Sequence, residues 1–156
     1  MKPLAALALF ALAAACARPL AFAPGTGAIV EARVLTYATS GRLGIRDEGA
    51  WTPTQEDVRG LEPVLLRRLI PELHQDEQDF KVKASAPAGY YRRYAGVHAQ
   101  GRRVIAVCGE LISLYAEHGG WPDNYVPLRD GGSATFGAYY DPATRAITYF
   151  EFGFNA

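Results

Sequence analysis

Two sets of residues in this sequence could do chemistry. Cys108 is a candidate nucleophile with His98 as its base, a pairing that activates cysteine in hydrolases. However, Cys108 ends the apolar run 104–108, where a free cysteine is most often a small buried hydrophobe. The second set is an acidic cluster made up of His74, Asp76, Glu77 and Asp79. This cluster lacks the spacing and the glycine of an EF-hand loop. We therefore expect no catalytic residue, no metal site and no cofactor.

Aromatic and arginine side chains are the stronger candidates for a binding site. Rings alternate along the last predicted hairpin, so both sheet faces carry them, whereas a single helix covers only one face. The second face must then be covered by the connector at 111–124, by a second copy of the chain in a homodimer, or by another partner. Arginine pairs at 92–93 and 102–103 are expected to face each other across a hairpin. We expect the binding surface to consist of Trp121, Tyr125, Arg92, Arg103, Tyr139 and Tyr149.

The first 17 residues have the features of a secretory signal peptide. Lys2 supplies a short positive region. The apolar run 4–15 suits an export signal but is too short to cross a membrane, which takes about 20 helical residues. Two cleavage sites are open: a lipobox-like sequence before Cys16, which would then be lipidated, or an Ala-x-Ala site before Arg18. We expect export to the periplasm, or attachment to the outer membrane through a lipid on Cys16, with no other membrane contact.

Composition and charge describe an ordinary globular protein. Of its 156 residues 49% are hydrophobic and 21% charged, and 16 Lys and Arg balance 16 Asp and Glu. A neutral chain lacks the concentrated positive charge that binds a phosphate backbone, so we expect no nucleic-acid partner. After the signal segment 1–17, the Pro- and Gly-containing stretch 18–27 predicts a tether, and residues 28–156 predict a single domain.

The first half of that domain predicts one strand and one helix. Apolar and charged residues alternate over 28–37, which indicates a half-buried strand. A helix begins at the capping sequence 52–55, with Thr52 as its cap. Its apolar stripe is Val58, Leu61, Leu65, Leu69 and Leu73. Pro63 removes one helical hydrogen bond, so we expect a kink or a break there. The polar stretch 74–89 predicts a surface loop.

The second half predicts antiparallel strands joined by turns. The predicted strands are residues 90–98, 102–110, 125–129, 134–140 and 146–154. A three-residue loop in the first hairpin would place Tyr94 opposite Ala106, and a type I turn in the last would pair Asp141 with Arg145. Together these elements predict an α+β fold in which one helix packs on an antiparallel meander of four to six strands.

The order of strand, helix and four strands resembles the cystatin fold. The sequence YYRRYAGVHAQGRRVIAV, followed by Trp121 and DGGSATFGAYYD, also resembles a family of small exported bacterial proteins and lipoproteins, over residues 52–156. The latter implies no activity. Cystatin topology implies an inhibitor of a foreign enzyme, although the motifs Q-x-V-x-G and Pro-Trp have no counterpart at the two hairpin turns. We therefore expect a non-enzymatic binding module of the cell envelope. The alternatives are a cystatin-like inhibitor and a small envelope hydrolase that uses Cys108 and His98.

Overall fold

Six strands and three α-helices make up the part of the chain that the structure, a computed structural model, describes. The described residues are 18–19, 27–39, 49–80, 89–99, 101–117 and 132–153. In chain order the elements are β1 (Arg18–Pro19), β2 (Gly27–Ile29), α1 (Ala32–Thr39), α2 (Gln55–Phe80), β3 (Tyr90–Ala99), β4 (Arg102–Leu111), α3 (Ile112–Glu117), β5 (Thr135–Asp141) and β6 (Ala146–Phe152). The α+β class is confirmed. No helix in these ranges is both long and apolar enough to cross a membrane.

All six strands belong to one mixed sheet, in the order β1-β2-β3-β4-β5-β6. Strands β3, β4 and β5 each pair antiparallel with the next strand, as β1 does with β2, but β2 runs parallel to β3. A parallel pair needs a long crossover connection, and here α1 and α2 lie within it. The expectations of a wholly antiparallel sheet and of a single helix are therefore wrong. Residues 18, 19 and 27, assigned to a tether from the sequence, lie in β1 and β2.

The predicted strand at 28–37 is a short strand followed by a helix. β2 ends at Ile29, and α1 begins at Ala32. In a segment this short, local propensity does not separate a strand from a helix, so tertiary packing decides between them. Within α1, Leu35 is fully buried and Val34 half-buried against the sheet, while Arg33 is exposed.

Helices cover both faces of the sheet. On the α2 face, α2 packs its apolar stripe on alternate residues of the strands: Val58, Leu61, Leu65 and Leu69 lie against Tyr90, Tyr94, Ile105, Val107 and Phe136. On the opposite α1 face, Leu35 joins Tyr91, Ala95, Val104, Ala106, Cys108 and Tyr139. Helix α3 lies at the start of the predicted connector and adds Tyr115 to that face. The second face is therefore covered, in part, by the chain itself.

The long helix α2 differs from its prediction at both ends. Its cap is Thr54, since the Thr54 amide and hydroxyl both donate to Asp57 Oδ2 (2.7 Å each) and the Asp57 amide donates to Thr54 Oγ1 (3.1 Å). The helix continues through Pro63 without a break and extends to Phe80, across part of the predicted loop. Pro63 and Arg59 are both exposed, so water can satisfy the carbonyl group of Arg59 that loses its helical bond.

Both hairpins differ from the predicted register. The first differs by one residue, and the second by one residue at Asp141 and by two beyond the irregularity between Tyr139 and Tyr140. In the first, Ala99 pairs with Arg102 around a two-residue turn in which Gly101 has φ +72°, so Tyr94 faces Val107. In the second, Asp141 pairs with Ala146. The additional turn residue there is Arg145, whose φ of +54° places it in the left-handed region.

Candidate functional site

The predicted catalytic pair is separated by the sheet. His98 pairs with Arg103 and Cys108 pairs with Arg93, and the two side chains lie on opposite faces. The Cys108 side chain is buried, and burial raises the pKa of its thiol to about 12 although Arg93 acts in the opposite direction. His98 is half-buried, and its Nδ1 contacts the carbonyl oxygen of Gly49. The proposed Cys108–His98 dyad is therefore wrong.

The predicted surface residue Arg92 is buried on the α2 face. Its Nη2 lies 3.1 Å from Glu62 Oε2, and its Nε donates to the Tyr94 hydroxyl over 2.9 Å. That hydroxyl in turn donates to Glu62. Burial alone would lower the pKa of Arg92, but its electrostatic and hydrogen-bond interactions with Tyr94 and Glu62 outweigh burial, and the pKa rises. Burial is also the main reason that the pKa of Tyr94 lies well above its ordinary value. This network joins α2 to β3 and leaves Arg92 inaccessible to a partner.

A second ion pair lies in the α1 face, where the sequence predicted exposed arginine. Arg93 Nη1 is 3.1 Å from Glu110 Oε2, and both side chains are 0% exposed. The Arg93 guanidinium also lies 5.3 Å and 5.4 Å from the rings of Tyr91 and Tyr115, which stack on each other at 3.7 Å. Such a pair is structural, because a buried charge without its partner is very costly. The arginine pairs at 92–93 and 102–103 do not face each other in the sheet.

The remaining predicted binding residues that the structure describes do not share one face of the sheet. Tyr139 is buried on the α1 face beside Tyr149, with ring centroids 5.7 Å apart. Arg103, by contrast, is exposed and lies on the α2 face, as its pairing with His98 shows. Trp121, Tyr125 and the lipidation candidate Cys16 lie outside the described residues.

The acidic cluster lies in the last turns of α2, but the positions of its side chains are outside the described part of the structure. Among the residues whose side chains are described, no group of three or more His, Cys, Asp or Glu is placed to hold a metal ion.

What the structure does reveal is a cleft at the hairpin end of the sheet. The β3–β4 and β5–β6 turns lie at this end, since these four strands alternate in direction. The cleft has a volume of about 620 Å³. It is lined by Trp51, Asp57, Arg102, Arg103, Asp141, Pro142, Ala143 and Thr144. This volume is within the usual range for small-molecule sites.

Trp51 and Arg103 form the central wall of the cleft. The Trp51 ring lies directly over Gly96, where an added Cβ would be 2.5 Å from ring atom Cδ2. The Trp51 amide donates to the Gly96 carbonyl (3.1 Å), and the indole Nε1 donates to the Val97 carbonyl (3.2 Å). On this ring lies the Arg103 guanidinium, 4.0 Å from a ring centroid. Cation–π contact at this distance is favourable, so an exposed arginine is held on a rigid support.

The two carboxylates of the cleft already accept hydrogen bonds from the backbone. Asp57 caps α2, as described above. Asp141 Oδ1 accepts from the amides of Ala143 (2.8 Å) and Thr144 (3.3 Å), and these bonds hold the pKa of Asp141 below its usual value. Arg102 Nη1 is 3.9 Å from Asp141 Oδ2, too far for a hydrogen bond. A carboxyl group that acts as a general acid near neutral pH needs a raised pKa, which is the opposite of the shift at Asp141.

Comparison of the chain with protein-family models, with curated proteins and with solved structures gave no match. The site is therefore interpreted from its own geometry.

Sequence reasoning identified Arg103 but missed its support, Trp51. Trp51 is the residue before the predicted capping sequence 52–55, and it contacts Gly96 through an isolated antiparallel bridge. The available signal was Gly96 itself, because a glycine inside a strand often marks a site where another group approaches closely.

Proposed function

We propose that this protein is an exported, non-enzymatic binding module that takes its ligand or partner in the hairpin-end cleft. The observation that carries this proposal is the Arg103 side chain, held on Trp51 and exposed in a cleft built on a rigid sheet. Binding groups held in place before the ligand arrives lose little entropy on binding. The cleft side chains do not include a cysteine or a histidine among the described residues, and its carboxylates serve a helix cap and a turn.

Export follows from the signal-like segment 1–17, with the periplasm or a lipid anchor in the outer membrane as the destination. Mass spectrometry of the mature N-terminus tests this part of the proposal. A diacylglyceryl group on Cys16 would support the lipoprotein form, and a free Arg18 would support the periplasmic form. A chain that retains residues 1–15 in its source cell would contradict export.

The binding proposal is tested by capture from a cell-envelope extract of the source organism, followed by quantitative mass spectrometry. The cleft variant is Arg102→Glu with Arg103→Glu. A matched control, Arg59→Glu with Arg67→Glu, makes the same charge change on the exposed side of α2. We expect the wild type and the control to retain a component that the cleft variant loses. Capture of the same components by all three proteins would refute the cleft as the site that binds them.

A cystatin-like inhibitor is the second candidate, and one observation favours it. The β3–β4 and β5–β6 turns flank the cleft at one end of an antiparallel set of strands on which a long helix packs. Inhibitory motifs of cystatins lie at two hairpin turns, which here read differently. A papain-type protease that is slowed by the wild type but not by the Arg102→Glu, Arg103→Glu variant would support this candidate. A protease that runs at full rate in the presence of the protein would contradict it.

A further inference from the structure

The acidic and basic side chains of the cleft differ in how far they are already bonded within the protein. The carboxylate of Asp57 accepts from Thr54 at the positive end of the α2 dipole, and Asp141 accepts from two backbone amides of its turn. The side chain of Arg102 is 72% exposed. Arg103 has no carboxylate partner among the described residues and is also exposed. Among the described residues, the carboxylates of the cleft are thus bonded within the protein, whereas Arg103 is exposed without a carboxylate partner and Arg102 has only the 3.9 Å contact with Asp141.

The two guanidinium groups differ in how firmly they are held. Arg103 lies on Trp51, and two hydrogen bonds fix Trp51 to β3. Arg102 directly precedes Arg103 in β4, and its side chain points to the other face of the sheet. It lines the same cleft because the cleft lies at the ends of the strands. Arg103 is thus the pre-organised anchor, and Arg102 adds positive charge beside it.

We propose that the cleft binds a small organic anion whose carboxylate or phosphate group pairs with Arg103, with Arg102 contributing charge. A planar guanidinium offers parallel N–H donors that match the two oxygens of such a group, and these charge-assisted bonds are stronger than neutral ones. The cleft volume of about 620 Å³ suits a small molecule. This inference deepens the proposed function and rests on it.

Fluorescence titration tests the proposal in a chain carrying Trp121→Phe, which leaves Trp51 as the single tryptophan. The probes are benzoate and phenyl phosphate, with benzylamine and benzyl alcohol as cationic and neutral ligands of similar size. We expect saturable changes in Trp51 emission with the anions alone, weakening as salt is added. The anion that binds with the higher affinity shows whether the cleft prefers a carboxylate or a phosphate group.

Variants of the anchor separate specific pairing from general charge. Arg103→Gln should weaken anion binding about tenfold or more, since it removes a charge-assisted contact. Arg103→Lys keeps the charge but loses the planar fork, so we expect an intermediate affinity. Arg59→Gln, a change on the exposed side of α2, should leave the affinity unchanged. Circular dichroism of each variant checks that it is folded.

Three results would overturn the inference: no saturable binding of either anion, equal binding of benzylamine, or equal loss of affinity in Arg103→Gln and Arg59→Gln. None of these results depends on the capture experiment. If capture still fails for the cleft variant while the anions do not bind, the cleft is a binding site for another kind of ligand. If the anions bind but capture is the same for all variants, the ligand is small and the captured components attach elsewhere.

Discussion

Replacing Gly96 with alanine should force Trp51 out of its position beside β3. The added Cβ would lie 2.2 Å from the Trp51 carbonyl oxygen, and 2.5 Å and 2.6 Å from the ring carbons Cδ2 and Cε2. Non-bonded carbon atoms are in favourable contact at about 3.5–4.0 Å. Trp51 must therefore move by about 1 Å, and because both its backbone and its ring are in the way, a rotamer change alone cannot relieve the overlap.

The expected loss of stability follows from these contacts. Overpacking in a well-packed region costs about 1–3 kcal/mol. The displacement also strains the hydrogen bonds from Trp51 to the Gly96 and Val97 carbonyl groups, and a hydrogen bond contributes about 1 kcal/mol. We expect the free energy of unfolding to fall by about 2–4 kcal/mol, which lowers Tm by roughly 10 °C in a domain of this size.

Gly60→Ala is the matched control for this substitution. An added Cβ at Gly60 meets no atom within 4 Å, and Gly60 is exposed in the interior of α2. The same chemical change should therefore raise the free energy of unfolding, by about 0.5–1 kcal/mol. Denaturant unfolding followed by circular dichroism measures both variants, and Trp51 emission in a Trp121→Phe background reports the displacement.

The two variants must change stability in opposite directions. If Gly96→Ala unfolds at the wild-type denaturant concentration, or leaves the emission of Trp51 unchanged, then Trp51 is not packed on β3 as described. The inferred role of Arg103 as an anchor held in place by Trp51 would then be wrong as well.

Three further predictions concern buried groups. Glu110→Ala leaves the Arg93 charge buried without its partner and should cost about 3–5 kcal/mol in denaturant unfolding; a loss as small as that of the exposed control Glu31→Ala would contradict this. Since burial raises the pKa of Cys108 to about 12, a thiol reagent at pH 8 should label Cys108 in the unfolded but not in the native protein, with the labelled residue identified by peptide mass spectrometry; rapid native labelling of Cys108 would show that its thiol is accessible. The Thr135 hydroxyl is buried without a hydrogen-bond partner among the described residues, so Thr135→Val should raise the free energy of unfolding by about 1 kcal/mol. A destabilised Thr135→Val protein, with the exposed Thr148→Val as control, would indicate a partner for that hydroxyl.

Local patterns could predict the α+β class, the amphipathic part of α2 and the two hairpins β3–β4 and β5–β6. The strand predicted at 125–129 lies outside the described residues, and β4 pairs directly with β5. The stripe that includes Leu61 and Leu65 is buried as its spacing predicts. Strand signals on either side of Gly101 and Pro142 predict the two hairpins, although the register is one residue off in the first and up to two residues off in the second. These features depend on residues close together in the chain, where periodicity and turn chemistry are informative.

The register errors have a specific cause. A hairpin register depends on how many residues the turn takes up, and that number depends on backbone angles that single residues allow but do not require. Arg145 adopts a positive φ that its residue type disfavours, and this conformation shifts the pairing of Asp141.

In the candidate site too, local sequence predicted some features and tertiary packing decided others. The exposed Arg103 was singled out from the sequence, but so was Arg92, which the tertiary structure buries against Glu62 from α2. Side chains of the same type in neighbouring strands thus have opposite roles, and only the packing of a distant helix decides which arginine is available. The parallel strand β2 and the bridge between Trp51 and Gly96 likewise join segments far apart in the chain.

The sequence by itself determined the apolar signal-like N-terminus, the neutral charge balance, the helical stripe and the strand-forming second half, because each is a property of a continuous segment. The tertiary structure alone decided which charges are buried, that Cys108 and His98 lie on opposite sides of the sheet, and that Trp51 supports Arg103 in a cleft. The physical reason is that the burial and pairing of a charged side chain depend on groups brought close by long-range contacts, and no local pattern records those contacts.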